Sequence, residues 1–590
     1  MAKGFGKPTA VPTRDATRFM VAFGKCYSEA KGDKEKIYQF LKANVKKLDE
    51  SLLDALPLVF KKLIEEDKLG NRENAAKLFG IFGFHIKEFP LGNRACNLEL
   101  SITACQISLK FLNYKDSPQK WALTQNNLGN AYAMRIQGDR SENLEKAIKA
   151  YTSVVKSFTS DEFTKILSTV QYNLGMAYRD RIIGKRAENL EKSIVAAERS
   201  LQMRDRNNEP KDWANPQNNL GLSYRDRIRG DRADNLEKAI TCFKLSLQII
   251  TFEDYPLEWA GMQNNLGLVY RERILGNRSE NIEKAISALD ASLKYFNRDN
   301  SPEDWARSKH NMADIYLNHT TSKAANNLAK AIQYYKEAAE VFTRDDFPLK
   351  WAQNQGHLAE ALIKRSEFTK NSQDLDKAVT LLQEALNVAV PGSPDYIDSQ
   401  YRLGTALSRR FEQNHNSEDL KQALQAYKTA LDAISPEHYD REKIWQALPT
   451  TQTVLGSRLV REGQWQEGMQ LLLNSVRLLR DSDDSLAHAN ALYETGRAHE
   501  VLADWSNARL YYRDALRLFE HLNDLPGIAK SRHGLGSVLA SQGYFQKGMT
   551  ELEKARELYQ QLNRPDRVAE VDALYQTTQR AEHNLSEVAV

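Results

Sequence analysis

The chain runs to 590 residues, 41% hydrophobic and 27% charged, which is more than one core can serve and predicts several domains or a repeat array. No run approaches the roughly 20 apolar residues that span a bilayer, and the mean hydropathy is -0.59, so no membrane span is expected. Net charge is only +4, from 82 basic and 78 acidic residues, a poor electrostatic match for a phosphate backbone, so no nucleic acid is expected as a partner.

In chain order, residues 1–13 are rich in Gly, Pro and Lys and lack the apolar core of a secretory signal. They read as a disordered leader in a cytoplasmic protein. Residues 14–70 read as three short helices that form an N-terminal cap.

From residue 71 to 395 the sequence repeats itself. Trp-Ala recurs at Trp121, Trp213, Trp259, Trp305 and Trp351 with a 46-residue period, one member being replaced at Leu167. Each start is followed by a near-identical phrase, Gln125-Asn-Asn-Leu-Gly, Gln171-Tyr-Asn-Leu-Gly, Gln217-Asn-Asn-Leu-Gly and Gln263-Asn-Asn-Leu-Gly. An aromatic stands three residues after the glycine, at Tyr132, Tyr178, Tyr224 and Tyr270. A second phrase closes each unit, beginning at Gly138, Gly184, Gly230 and Gly276, and an earlier unit starts near Ala75 without its tryptophan.

Each unit reads as two helices, A and B. Leu128, Gly129 and Tyr132 form one packing stripe on helix A, and the glycine lets the facing helix come close at an intrinsic cost of about 1 kcal/mol against Ala. Helix B places Leu144, Ala147, Ile148 and Tyr151 on one face. Asn143, recurring as Asn97, Asn189, Asn235, Asn281 and Asn327, is expected to be its N-cap. Residues 396–565 hold one irregular unit and then units of 40 residues, marked by Gly456, Gly496 and Gly536. Residues 566–590 read as a polar capping helix and tail, which an open array needs.

The pattern resembles the tetratricopeptide repeat, W-x2-L-G-x2-Y followed by A-x3-F, with both helix-helix loops lengthened. The resemblance implies an all-α fold, a tetratricopeptide-type α-solenoid in which about eleven helical hairpins wind into a right-handed superhelix. The long-loop units further resemble the arrays of cyanobacterial-type proteins that carry a C-terminal CHAT peptidase-like domain. No such domain is read here, because Cys26, Cys96, Cys105 and Cys242 leave the last half without a cysteine for a His/Cys dyad. The resemblance therefore implies the recognition half of such a system.

No phosphate loop, HExxH or GxSxG elbow occurs, and the four cysteines lack CxxC spacing, so no catalytic residue, metal or cofactor is expected. Histidine pairs such as His310 and His319 lack metal-ligand spacing. Binding then falls to the helix A surfaces, which line the concave face of such a solenoid. Flanking the Leu-Gly pair, Asn126, Asn130, Tyr172, Met176, Asn218 and Asn264 are expected to face the groove, followed a turn later by Arg179, Arg225 and Arg271. The Asn row suits an extended peptide backbone, and the Arg row suits carboxylates.

Residues recurring in every unit are also read, more simply, as rung-to-rung contacts. Asn127 and its equivalents then bridge helices A, while Arg135, Arg181, Arg227 and Arg273 pair with a neighbouring Glu. Positions that vary between units are better candidates for specificity: Tyr172, Met176, Arg307, His310, Asp314 and Glu360. The expected function is a scaffold holding a protein or peptide, with self-association open. A regulatory subunit controlling a separate effector is the alternative, and an enzyme or nucleic-acid binder the rival class.

Overall fold

The computed structural model describes residues 13–66, 71–158, 163–319, 324–435 and 441–588. Apart from Thr13, the expected leader lies outside them. Among the described residues the chain is helical throughout, without strands, and divides into two compact units, Met1–Asn300 and Ser301–Val590.

The first unit opens with α1 (Thr13–Ala30), α2 (Lys34–Ala43), a 3-10 turn (Val45–Lys47) and α3 (Glu50–Glu65). Five hairpins follow: α4/α5 (Arg72–Glu88, Arg94–Leu109), α6/α7 (Pro118–Met134, Arg140–Ser157), α8/α9 (Thr164–Arg179, Arg186–Gln202), α10/α11 (Pro210–Asp226, Arg232–Leu247) and α12/α13 (Pro256–Glu272, Arg278–Ser292). Each helix packs chiefly on its neighbours in the chain, the contact pattern of a solenoid. The expected seam is present. Leu128, Ala131, Ala147, Ile148 and Tyr151 lie in one buried cluster, and Gly129 sits so close to the Tyr151 ring that a Cβ there would fall 2.4 Å from Tyr151 Cε1.

The second unit stacks six hairpins: α14/α15 (Pro302–Leu317, Ala324–Ala339), α16/α17 (Pro348–Thr369, Ser372–Leu386), α18/α19 (Pro394–Asn414, Ser417–Ala433), α20/α21 (Arg441–Arg461, Trp465–Leu479), α22/α23 (Ser485–Val501, Trp505–Leu522) and α24/α25 (Leu525–Ser541, Phe545–Gln561). It closes with α26 (Pro565–Val588), which buries Val571 against α25. Eleven tetratricopeptide-like hairpins thus stand among the described residues. Proline at the first helical position, where no N–H is needed, starts α6, α10, α12, α14, α16 and α18. Pro394 keeps the 46-residue step from Pro348. In α16 and α18 the breaking glycine of the earlier loops is replaced by Phe368 and Asn414, and these helices run on to 22 and 21 residues.

One expectation fails. Asn143 does not cap helix B; Asp139 does, accepting the Glu142 N–H, and Asn93, Asp231 and Asn277 do the same in their units. Helix B starts earlier than its apolar stripe, because Gly138 at φ +77 turns the chain directly into Asp139. Asn143 is instead buried in the helix, donating to the Gln137 carbonyl at 2.9 Å.

Candidate functional site

The recurring polar residues form a lattice between hairpins. Arg135, Arg181, Arg227 and Arg273 each fork onto the Glu 36 residues earlier, Glu99, Glu145, Glu191 and Glu237, through Nε and Nη2 at 2.5–3.0 Å. Their Nη1 groups reach the buried Asn of their own helix B, Asn143, Asn189, Asn235 and Asn281. Those hydrogen bonds hold the Glu145 and Glu191 carboxyls below the usual glutamate range. Arg140, Arg186, Arg232 and Arg278 donate to carbonyls ending the preceding helix A, those of Ala133, Arg179, Arg225 and Arg271. These arginines, each the first residue of its helix B, therefore seal the end of the preceding helix A.

The Asn row does similar work. Asn126 is buried and accepts from Asn173 at 2.8 Å, and Asn218 accepts from Asn265 at 3.3 Å, both across adjacent A helices. Asn130 accepts from the Tyr151 hydroxyl at 2.5 Å, and Asn264 is buried. Tyr172 is half-buried, and burial pushes its hydroxyl pKa up. Arg179, Arg225 and Arg271 each lie against the acid that follows them, Asp180, Asp226 and Glu272, at 3.2, 2.9 and 3.8 Å. Arg307 is exposed and paired with Asp304, one turn back. His310 is buried within α14 and contacts Asn354 and His357 of α16. The structure thus brings His310, Asp314 and His357 together, while Asn126 and Asn218 bridge adjacent A helices and Arg179, Arg225 and Arg271 each lie against the next residue of their own chain segment.

Each unit carries a cavity on its A-helix surfaces. In the first unit a cavity of about 470 Å³ is lined by Tyr27, Phe84, Leu112, Leu123, Asn126 and Asn127 among others. Phe84 and Leu123 are exposed there. In the second unit a cavity of about 660 Å³ lies over α22, α24 and α26. Its walls carry the cations Arg497, Lys530, Arg564 and Arg567, the acids Glu494 and Glu500, and the rings of Tyr493, Tyr512 and Tyr559.

The acids of this second cavity are occupied. Glu500 accepts from the Tyr512 hydroxyl and from Ser537 at 2.7 Å, and Glu494 accepts from Ser457 and Arg497. Arg564 is tied to Asp566 and Arg567 to Glu570 at 2.8 and 2.7 Å. Lys530 differs. Its Nζ donates to the neutral Asn490 Oδ1 at 2.7 Å and lies 4.6 and 4.8 Å from the centres of the Tyr493 and Phe519 rings, and burial lowers its pKa. Burial also lowers the pKa of His533, which lines the same cavity. An anionic group entering here would meet a desolvated ammonium whose hydrogen-bond partner is a neutral amide and on which the Glu494 and Asp524 carboxylates act only through space.

Sequence reasoning passed over this cavity because the later units match the repeat only loosely. The available signal was polar: Tyr493, Glu494, Arg497 and Glu500 occupy one helical face at steps of one, three and three, and the first two stand where the earlier units mostly place amides.

Compared with known proteins, residues 230–392, well under half of the chain, match the family model described as soluble NSF attachment protein, SNAP. No curated protein matches the chain. Among solved structures, the apo form of the quorum sensor NprR from B. thuringiensis is 13% identical, covers 68% of this chain and 97% of its own, and has a TM-score of 0.37. The human IFIT1 dimer with PPP-AAAA is 14% identical, with 86% and 95% covered and a TM-score of 0.39. The P58(IPK) TPR domain is 12% identical, with 78% and 97% covered and a TM-score of 0.24. None of the three superposes closely on the chain.

Proposed function

We propose that the chain is a non-enzymatic binding protein that holds a polypeptide segment bearing carboxylates in the cavity over α22, α24 and α26. The observation that carries this reading is Lys530, a half-desolvated cation in a cavity of about 660 Å³ whose hydrogen-bond partner is a neutral amide. Among the described residues Glu494 and Asp524 act on its ammonium through space, without a hydrogen bond to it. Three tyrosines and the arginine stems supply apolar walls for a peptide, and Arg497 adds a second positive charge. The near-neutral chain, +4 over 590 residues, favours such local recognition over the long basic tracks that follow a nucleic-acid backbone.

The test is fluorescence anisotropy on the full chain with three probes: an acidic peptide, the same peptide with Gln and Asn for its acids and an amidated end, and a single-stranded RNA. The acidic peptide is expected to bind, and Lys530→Met to weaken it more than tenfold. The neutral peptide and the RNA are expected to bind weakly and without regard to residue 530. Equal binding of both peptides, or RNA binding that depends on Lys530, would overturn the assignment.

A further inference from the structure

We propose that His310, Asp314 and His357 form a binding site for a divalent first-row transition ion of the Zn2+ class, bridging the A helices of two consecutive hairpins, α14 and α16. Their ligand atoms all lie within 4.8 Å of one another. His357 Nδ1 is 2.8 Å from Asp314 Oδ1, His310 Nε2 is 3.8 Å from the same oxygen, and the two imidazole centres are 5.1 Å apart. Around a tetrahedral zinc, with bonds of about 2.0–2.2 Å, ligand atoms sit roughly 3.3 Å apart. The cluster needs only small side-chain rotations to close on an ion.

The repeat shows how unusual this rung is. At the same 47-residue step, other hairpins join their A helices by amides, Asn173 to Asn126 and Asn265 to Asn218. Here both amides are replaced by imidazoles. The position one turn on, Asn130, Met176, Leu222 and Leu268 in the earlier units, becomes Asp314. Three departures from the repeat converge on one point.

Surrounding groups orient the ligands as metal sites require. Asn354 donates its amide to the Tyr335 carbonyl at 2.8 Å, so its Oδ1 faces His310 Nδ1 at 2.9 Å as an acceptor. That fixes the proton on Nδ1 and makes Nε2, on the Asp314 side, the coordinating nitrogen. The Tyr335 hydroxyl donates to Asp314 Oδ1 at 2.6 Å. His357 donates its Nδ1 proton to the carboxylate, and on metal binding Nδ1 takes the ion while the neutral ring carries its one proton on Nε2, a change of tautomer that exchanges a proton with solvent and releases none. Asp314 and His357 retain partial exposure, 14% and 21%, which leaves room for a water to complete the shell.

The experiment uses the full chain stripped with EDTA and titrated with Co2+, then with Zn2+. The expected result is one equivalent of Co2+ with the intense visible absorption of a tetrahedral site, displaced by Zn2+. The band is expected to be lost in both His357→Gln and Asp314→Asn, and kept in the surface control His521→Gln. Asn354→Leu is expected to keep the stoichiometry with affinity reduced about 10- to 100-fold. In the unmodified chain Zn2+ is expected to slow hydrogen exchange in α14 and α16, a readout that needs no variant to fold. No stoichiometric Co2+ band, a band indifferent to His357 and Asp314, or unchanged exchange in the two helices would overturn the site.

Discussion

Replacing Arg227 by Lys isolates the link between hairpins. Lysine keeps the charge but loses the fork onto Glu191, 2.8 Å at both oxygens, and the Nη1 contact to Asn235 at 3.4 Å. Exposed ion pairs contribute about 0–1 kcal/mol, and hydrogen bonds to charged groups about 1.5–3 kcal/mol. With both side chains 24% exposed, the pair falls between these limits, and Arg227→Lys is expected to cost about 1.5 kcal/mol. The assay is urea unfolding of the full chain at neutral pH, with hydrogen exchange reporting on α9 to α11, since stability in an array is a sum of nearest-neighbour terms. The pH dependence fixes the cause. Arg227 holds the Glu191 carboxyl below its ordinary range, so the pair's contribution is full above the unfolded pKa of about 4.3 and is lost as pH falls through the lower folded value. The difference between the two proteins is therefore expected to shrink in acid. A difference that persists unchanged below that range, or none at neutral pH, would refute the reasoning.

Two glycine substitutions of the same chemistry are expected to move stability in opposite directions. Gly129→Ala drives a methyl into the Tyr151 ring and should destabilise by about 1–3 kcal/mol, whereas Gly261→Ala, with nothing within 4 Å, should stabilise by about 0.5–1 kcal/mol; thermal melts of both decide it. His85 is buried against Tyr27, Phe84 and Tyr38, and desolvation holds its pKa down to about 4. Because the unfolded chain binds this proton near pH ~6.5 and the folded chain does not, stability is expected to fall as pH drops from about 6.5 towards 4. His85→Phe should flatten that slope in urea titrations. Lys530→Met should leave the melting temperature unchanged or higher, because desolvation of the ammonium outweighs its through-space attraction to Glu494 and Asp524, while weakening capture of the acidic peptide.

The hairpin order was legible because a 46-residue period fixes both the glycine that admits Tyr151 and the prolines that start helices. The Arg135–Glu99 pairing and the Asn126–Asn173 bridge were also within reach, since recurring residues of consecutive units must be neighbours in a stack. Cap positions were not. The apolar stripe begins at Leu144, but the helix begins where Asp139 can accept an N–H, and burial pattern alone does not report that. The His310–Asp314–His357 cluster was hidden because His357 lies 47 residues beyond His310, at the offset used elsewhere by amides, so no local spacing betrays it. The cavity around Lys530 was hidden by divergence of the later units, where polar residues from α22, α24 and α26 converge only after stacking.

The most direct measurement is hydrogen exchange of the full chain with and without saturating acidic peptide. Slowed exchange confined to the peptides that carry Tyr493–Glu500, Lys530–Ser537 and Arg564–Arg567 is the expected result. Protection that instead falls on the Arg179, Arg225 and Arg271 row of the first unit, or nowhere, would contradict the placement of the binding surface.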